Sequence, residues 1–190
     1  MPDADPYFAT MASLAPITAD ELLRLSIPDK RVELVRGTLV VREFRGFRDG
    51  RVIAGLAVRL ADHVKALGLG EVLAAGTGFQ LASHPDTVRA PAIAFISRAR
   101  LPDPVPEGYA ALAPDLVVEV LSPGDRPGET LAKVADWLDA GCRLVWAVDP
   151  KRRLARVYRQ DGSETLVSAD EALSGEDIVP GFSSPLGEIL

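Results

Sequence analysis

Apolar residues recur at three- and four-residue intervals in two long stretches of the chain. The first stretch, from Arg51 to Leu67, is followed by Gly68 as a C-cap and predicts the longest helix. The second stretch follows Asp125, runs to about Ala140 and predicts another helix. The buried side of this second helix is expected to carry four apolar residues, Leu131, Val134, Ala135 and Leu138.

A shorter helix is predicted near the start of the chain. Residues 1–16 show little periodicity and predict a flexible N-terminal arm. Thr18 and Glu21 then match a capping box, in which each side chain accepts a hydrogen bond from the other residue's backbone amide. This helix is expected to end near Pro28, and residues 17–190 are expected to form a single domain.

Strand-like runs separated by turn residues occupy most of the remaining sequence. Two short runs flank Arg36-Gly37 within residues 32–41 and predict a tight hairpin. Asp149-Pro150 and Asp161-Gly162 predict turns between antiparallel strands near the C-terminus. Further strands are expected at residues 71–75, 78–82, 88–96, 116–121, 144–148 and 154–159.

The order of these elements predicts the fold class. Several strands run together before the helix that follows Asp125, so strand and helix do not alternate regularly. We therefore predict an α/β fold with a mixed central β-sheet flanked by helices. An N-terminal hairpin and C-terminal antiparallel strands complete this expectation.

One carboxylate lies within an otherwise apolar strand. Residues 116–121 form a continuous apolar run bounded by prolines, which is typical of a strand covered on both faces, yet Glu119 lies inside it. An ionised glutamate buried without a partner costs on the order of several kcal/mol. Glu119 therefore needs a cation, a hydrogen bond or a raised pKa.

Lys133, on the helix that follows the strand, is a candidate partner for this carboxylate. Alternation along the strand places Glu119 on the same face as Asp115 and Val117. Lys133 could neutralise Glu119, or could orient a water molecule for attack on a phosphodiester. In the alternative interpretation, Lys133 forms an exposed pair with Glu129, one turn earlier on the same helix.

Composition narrows the function classes. A chain of 190 residues with 47% hydrophobic content is sufficient for one domain with a core. The single cysteine, Cys142, excludes an intramolecular disulfide, and His63 and His84 alone do not make a zinc cluster. The net charge of −6 argues against a general polyanion-binding surface, but not against a local basic patch.

Hydropathy gives an expectation about location. No apolar run approaches the roughly 20 residues that a membrane span needs. The acidic start, MPDADPYFAT, lacks the apolar core of a signal peptide. We therefore expect a cytoplasmic protein without a membrane partner.

The segment from Pro114 to Arg159 resembles a known family. Its motif PDLVVEVLSP, Lys133 in the next helix and the stretch 144–150 are similar to the Uma family of restriction endonuclease-like proteins, a bacterial branch of the PD-(D/E)XK nuclease superfamily. The similarity extends upstream to the hairpin and to residues 87–91, and covers about residues 17–190. It implies a restriction-endonuclease-like core and metal-dependent hydrolysis of DNA.

The resemblance also implies roles for three residues. Glu119 corresponds to the acid of the (D/E)XK half-motif, and Glu33 would be an additional acid from the hairpin. The lysine usually found two positions after the acid is replaced by Leu121, and the family pattern places it instead at Lys133. Glu119 and Glu33 would hold Mg²⁺ or Mn²⁺, which lowers the pKa of bound water, while Lys133 would orient the attacking water.

One position departs from the family pattern. An aspartate is expected after the proline of the first catalytic strand, whereas Pro91 is followed by Ala92. Without this carboxylate, metal binding weakens and the nucleophilic water loses its position. We therefore expect a degenerate endonuclease site with low or absent activity. The alternative is a catalytically inactive nuclease-fold module for binding or oligomerisation, with Trp146 and the C-terminal hairpins at its interface.

Four arginines recur every three residues after the hairpin: Arg42, Arg45, Arg48 and Arg51. Their spacing suits contacts with a phosphate backbone, which makes them candidate DNA-binding residues. A solvated basic loop is the alternative interpretation. Because cleavage of a duplex needs two cuts and two-fold dimers are the commonest closed assembly, we also expect a homodimer.

Overall fold

A computed structural model describes residues 15–28 and 30–190. The arm predicted for residues 1–16 therefore lies, as far as residue 14, outside the described residues. The predicted capping box is confirmed, because Glu21 N donates to Thr18 Oγ1 and Thr18 N donates to a Glu21 carboxylate oxygen. The short helix that follows, α1 (Ala19–Arg24), ends before Pro28.

A six-stranded mixed sheet forms the centre of the fold. In spatial order its strands are β10 (Glu164–Ser168), β9 (Leu154–Arg159), β8 (Leu144–Asp149), β7 (Leu116–Val120), β6 (Ile93–Ser97) and β3 (Gly70–Ala74). Only β7 and β8 run parallel, and the other neighbouring pairs are antiparallel. The predicted α/β class with a mixed central sheet is confirmed.

A second sheet of four strands lies at one side of the molecule. Its order is β2 (Thr38–Arg42), β1 (Arg31–Val35), β5 (Thr87–Arg89) and β4 (Phe79–Ala82). The predicted hairpin is confirmed, because β1 and β2 are joined by Arg36 and Gly37, both with positive φ as a type I′ turn requires. Two short strands, β11 (Ala172–Ser174) and β12 (Ser183–Pro185), pair near the C-terminus.

Two longer helices cover opposite faces of the central sheet. Helix α2 (Phe47–Leu67) buries Val52 and Leu56 against the face that carries Val118 and Trp146. Helix α3 (Pro127–Asp139) packs against the other face, which carries Val117 among its buried residues. The face of β7 under α3 is therefore also the face of Glu119, because residues two apart on a strand point to the same side.

The predicted strand 88–96 is wrong as a single element. It divides into β5 and β6, which belong to different sheets, and residues 90–92 connect them. Pro91 has no backbone N–H to donate to a ladder, which explains why pairing stops there. This break leaves the backbone groups of Ala90 free to bind side chains.

The buried side of α3 also differs from the expectation. Leu131 and Ala135 are exposed, and the residues buried on this helix are Val134 and Trp137. The side of α3 that faces the sheet is therefore not the side that the apolar residues predict. Lys133, next to the buried Val134, faces inward. Within the described part of the chain, no helix combines the length and the apolar character that crossing a membrane would require.

Candidate active site

Three charged residues from separate elements meet at one point between the two sheets. Glu33 lies on β1, Glu119 on β7 and Lys133 on α3. The ammonium Nζ of Lys133 is 2.7 Å from Glu33 Oε1 and 3.0 Å from Glu119 Oε1. The predicted neighbourhood of Lys133 and Glu119 is confirmed, and the alternative pair is wrong, because Glu129 instead pairs with Arg42 at 2.7 Å.

The break between β5 and β6 adds backbone groups to this cluster. Ala90 N donates a hydrogen bond to Glu33 Oε1 at 2.9 Å, and Lys133 Nζ donates to the carbonyl oxygen of Ala90 at 3.0 Å. The ammonium therefore has three oxygen partners, which matches its three donors. This arrangement holds Glu33 and Lys133 at fixed positions relative to the chain break.

A buried arginine supports Glu33 from the other side. Arg89 is 5% exposed, and its Nη1 lies 3.0 Å from Glu33 Oε2. The same guanidinium donates through Nε and Nη2 to Asp136 Oδ2, at 2.9 and 2.5 Å. Both oxygens of Glu33 are thus engaged, one by Lys133 and Ala90 and the other by Arg89.

Trp137 holds Glu119 in place. Its indole Nε1 donates to Glu119 Oε1 at 2.9 Å, the same oxygen that Lys133 contacts. Lys133 and Trp137 lie one turn apart on α3, on the side of the helix that covers β7. The carboxylate in this apolar strand is therefore stabilised by one ammonium and one indole.

The electrostatics of the cluster keep Glu33 ionised. Burial raises the pKa of Glu33, but the charges of Lys133 and Arg89 and the hydrogen bond from Ala90 together hold it below its usual value. Three carboxylates, those of Glu33, Glu119 and Asp136, face two cations in this network, which leaves one net negative charge.

The cluster forms the floor of a cleft of about 390 Å³. Arg31 and Arg42 from the hairpin, and Arg45 just after it, line the wall. The pKa of Arg31 is lowered by partial burial and by the neighbouring guanidinium of Arg45, although carboxylates nearby oppose this shift. Closely spaced guanidinium groups above an acidic floor make the mouth of the cleft suitable for an anion.

Ala92 lies next to the cluster but contributes no polar group. The register of β6 and β7 places Ile93 opposite Val118, so the preceding residue, Ala92, adjoins the position of Glu119. Ala92 N donates to the carbonyl oxygen of Val118 at 2.9 Å, and the side chain is 1% exposed within the apolar core. Ala90 and Pro91 line the cleft, whereas Ala92 is not among the lining residues.

This donor set does not fit a resident divalent cation. Both oxygens of Glu33 are engaged, and the Lys133 ammonium lies between Glu33 and Glu119, where a metal bound by both would be placed. Among residues 15–28 and 30–190, no group of three or more acidic, histidine or cysteine side chains could hold a metal ion. Binding of Mg²⁺ or Mn²⁺, expected from the sequence, stays a prediction, and this arrangement of side chains does not favour it.

The four candidate DNA-binding arginines do not share one loop. Arg42 ends β2 and Arg45 follows it, but α2 begins at Phe47, so Arg48 and Arg51 lie in the first two turns of that helix. Of the four, Arg42 and Arg45 line the cleft. Arg48 lines an adjoining groove.

Sequence reasoning missed three supporting residues: Arg89, Asp136 and Trp137. Arg89 gave a detectable signal, since it is a charged residue inside the predicted strand 88–96, as Glu119 is in its own strand. Asp136 and Trp137 gave none, because a polar residue and an aromatic residue are ordinary on a helix that covers a sheet. Their partners lie on other elements and are visible only in three dimensions.

Comparison with known proteins identifies the family of this chain. A family model named Uma2 and described as "Putative restriction endonuclease" matches residues 19–187, which is most of the chain. The chain belongs to the Uma2 family. No curated protein matches it. The match covers β1, β7 and α3, so Glu33, Glu119 and Lys133 all lie within the part of the chain that defines membership of Uma2.

A solved structure shares the Uma2 fold of this chain. It is the crystal structure of a "putative nuclease belonging to DUF820" from Anabaena variabilis, with a TM-score of 0.78 at 19% sequence identity. The similarity covers 92% of this chain and 97% of the other. At this identity the comparison supports the shared nuclease fold.

Proposed function

We propose that this Uma2 protein binds the phosphodiester backbone of DNA in the cleft between its two sheets and hydrolyses it weakly or not at all. The observation that carries the proposal is the position of Lys133 Nζ, within 3.0 Å of both Glu33 and Glu119. An ammonium at this point pairs with both glutamates at the floor of the cleft. A divalent cation would have to compete with it for the same carboxylate oxygens.

Charge balance explains why one missing carboxylate matters. The network has one net negative charge as it stands, which a divalent cation would overcompensate. An aspartate at residue 92, which adjoins Glu119 in the register of β6 and β7, would raise this to two negative charges. Ala92 therefore accounts for the low hydrolytic activity that we propose.

The residues around the floor supply the proposed affinity for DNA. Arg42 and Arg45 reach the cleft from the hairpin side, and the guanidinium groups can pair with phosphate oxygens in a bidentate manner. Arg42 would exchange its present partner, the half-exposed Glu129, for a phosphate. Lys133 at the base of the cleft is then a donor for a deeper phosphate oxygen.

The non-enzymatic alternative needs revision on one point. Trp146 was expected at an interface, but it is fully buried, and its ring stacks on Phe182 with centroids 5.8 Å apart. It cannot contribute to an oligomer interface without unfolding the core. The homodimer remains a prediction, and any dimer must use other residues.

The test combines binding and cleavage. The protein is titrated into labelled duplex DNA over a range of salt concentrations, and plasmid DNA is incubated with it in Mn²⁺ or in EDTA. We expect salt-dependent binding without cleavage by the wild-type protein. For Ala92→Asp we expect cleavage in Mn²⁺ that Ala92→Asp/Lys133→Ala lacks.

Arg45→Gln is the matched variant for the binding assay. It should reduce the slope of log affinity against log salt by about 1, because one phosphate contact is lost. Lys65→Gln, at an exposed position of α2 away from the cleft, should leave the slope unchanged. Absence of DNA binding even at low salt would overturn the proposal.

A further inference from the structure

Two phenylalanine rings are exposed beside the cleft. Phe44 is 66% exposed and Phe47 is 92% exposed, in the segment that joins β2 to α2. Phe44 lines the cleft above Glu33 and also an adjoining groove, and Phe47 lines that groove. The rings therefore mark a continuous path that leads away from the acidic floor.

Three arginines along this path are not part of an ion pair in the part of the chain that the structure describes. Among the ion pairs of the described residues, Arg31, Arg45 and Arg48 have no carboxylate partner. Arg31 Nε donates to the carbonyl oxygen of Glu43 at 3.0 Å, and Arg45 donates to that of Val120. A carbonyl oxygen accepts a hydrogen bond but does not cancel the positive charge.

The acidic residues of the groove have hydrogen-bond partners within the described part of the chain, although only Glu43 among them is paired with a cation. Glu43 pairs with Lys30, and Asp125 accepts a hydrogen bond from Ser122 N. Asp49, buried at the start of α2, accepts from Ser122 Oγ at 2.5 Å. The groove thus combines exposed aromatic faces with guanidinium groups that remain available to an external anion.

We propose that Phe44 and Phe47 form a stacking platform for unpaired bases, so that the substrate class of this cleft is single-stranded DNA or the unpaired part of a DNA duplex. This inference rests on the DNA binding proposed above and specifies which DNA is bound. Aromatic side chains beside a positively charged groove are the features by which proteins bind single strands. Bases inside a duplex stack on each other and cannot lie on these rings.

A second copy of the chain is a less suitable occupant. Two aromatic side chains bury about 300–500 Å², whereas a stable interface buries about 800 Å² on each partner. In a two-fold dimer the same arginines would face each other, because both copies contribute the same surface. The charge of the surface therefore favours a polyanion over a copy of the chain.

Fluorescence anisotropy with a labelled oligothymidine and a labelled duplex of the same length tests the inference. The full chain is compared with Phe44→Leu, Phe47→Leu and Phe47→Tyr. Leucine keeps an apolar side chain without a π face, and tyrosine keeps the ring. Leu67→Ala, at an exposed position near the opposite end of α2, is the matched control.

We expect tighter binding of the oligothymidine than of the duplex, and about tenfold weaker oligothymidine binding for each leucine variant. Phe47→Tyr and Leu67→Ala should bind as the wild-type protein does.

If the leucine variants weaken binding of duplex and single strand equally, or weaken neither, the stacking platform is wrong although the proposed DNA binding can still hold. A leucine variant that changes the sedimentation coefficient but not DNA affinity would instead assign the rings to a contact between copies. Absence of binding to both probes would overturn both proposals.

Discussion

Trp137 donates its indole N–H to Glu119, with 2.9 Å between Nε1 and Oε1. The two residues lie on α3 and β7, and both are buried. The bond fixes the carboxylate from the helix side, while Lys133 contacts the same oxygen. Glu119 itself lines the cleft.

Trp137→Phe should therefore cost more stability than Trp146→Phe. Both tryptophans are fully buried, but within the described residues Trp146 Nε1 has no hydrogen-bond partner, whereas Trp137 Nε1 has Glu119. Losing a hydrogen bond to a charged group costs about 1.5–3 kcal/mol, even though Lys133 still contacts the same oxygen of Glu119. Urea denaturation followed by far-ultraviolet circular dichroism measures both variants. Equal losses would show that the bond to Glu119 contributes nothing beyond packing.

Lys133→Met should destabilise the fold by about 3–5 kcal/mol, because it removes one cation from a buried network, which deprives Glu119 of its ammonium partner and leaves Glu33 with Arg89. The free energy of unfolding from urea denaturation is the measurement. Lys65→Met, at an exposed site of α2, should change it by less than about 0.5 kcal/mol. A loss for Lys133→Met as small as that of its control would contradict the network.

Glu33 should make stability fall in acid. Because the pKa of Glu33 is held below its usual value of 4.5 by Lys133 and Arg89 despite burial, the unfolded chain binds more protons than the folded chain below that pH. The stabilisation is complete above pH 4.5 and is lost as the pH falls through the pKa of the folded state.

The measurement is the difference in unfolding free energy between wild-type protein and Glu33→Gln from about pH 6 to about pH 3. We expect this difference to shrink as the pH falls. Glu107→Gln, at an exposed site, is the matched control and should change the unfolding free energy by less than about 0.5 kcal/mol. A difference for Glu33→Gln that stays constant with pH would contradict the proposed dependence of stability on the pKa of Glu33.

Ala92→Asp should make thermal stability depend on Mn²⁺. The wild-type melting temperature is expected to be unaffected, because the Lys133 ammonium already lies between the two glutamates. The variant should be less stable without metal, since it buries an extra carboxylate, and should gain at least about 2 °C in Mn²⁺, which corresponds to roughly 1 kcal/mol. Differential scanning calorimetry measures both.

The control for this experiment is Ala92→Asp/Glu119→Gln. It keeps the new aspartate but removes the neighbouring carboxylate, so the gain in Mn²⁺ should disappear. If the wild-type protein shows the same gain as Ala92→Asp, Ala92 is not the reason for weak metal binding.

Several features of the site were predictable from single stretches of sequence. Glu119 was recognisable because a carboxylate in a strand covered on both faces must have a partner. Lys133 was a candidate through its place on the next helix, and the hairpin carrying Glu33 was marked by Arg36-Gly37. The division at Pro91 was missed, because residues 88–96 are apolar enough to suggest one strand although their two halves pair in different sheets.

The sequence by itself determined the helices, most of the strands and the apolar strand that carries Glu119, since these depend on the order of neighbouring side chains. Only the tertiary structure decided that Lys133 faces inward between Glu33 and Glu119 rather than outward toward Glu129. The rotation of α3 depends on Trp137 and Val134 filling the space over β7. Packing of this kind joins residues far apart in the chain, and no local pattern encodes it.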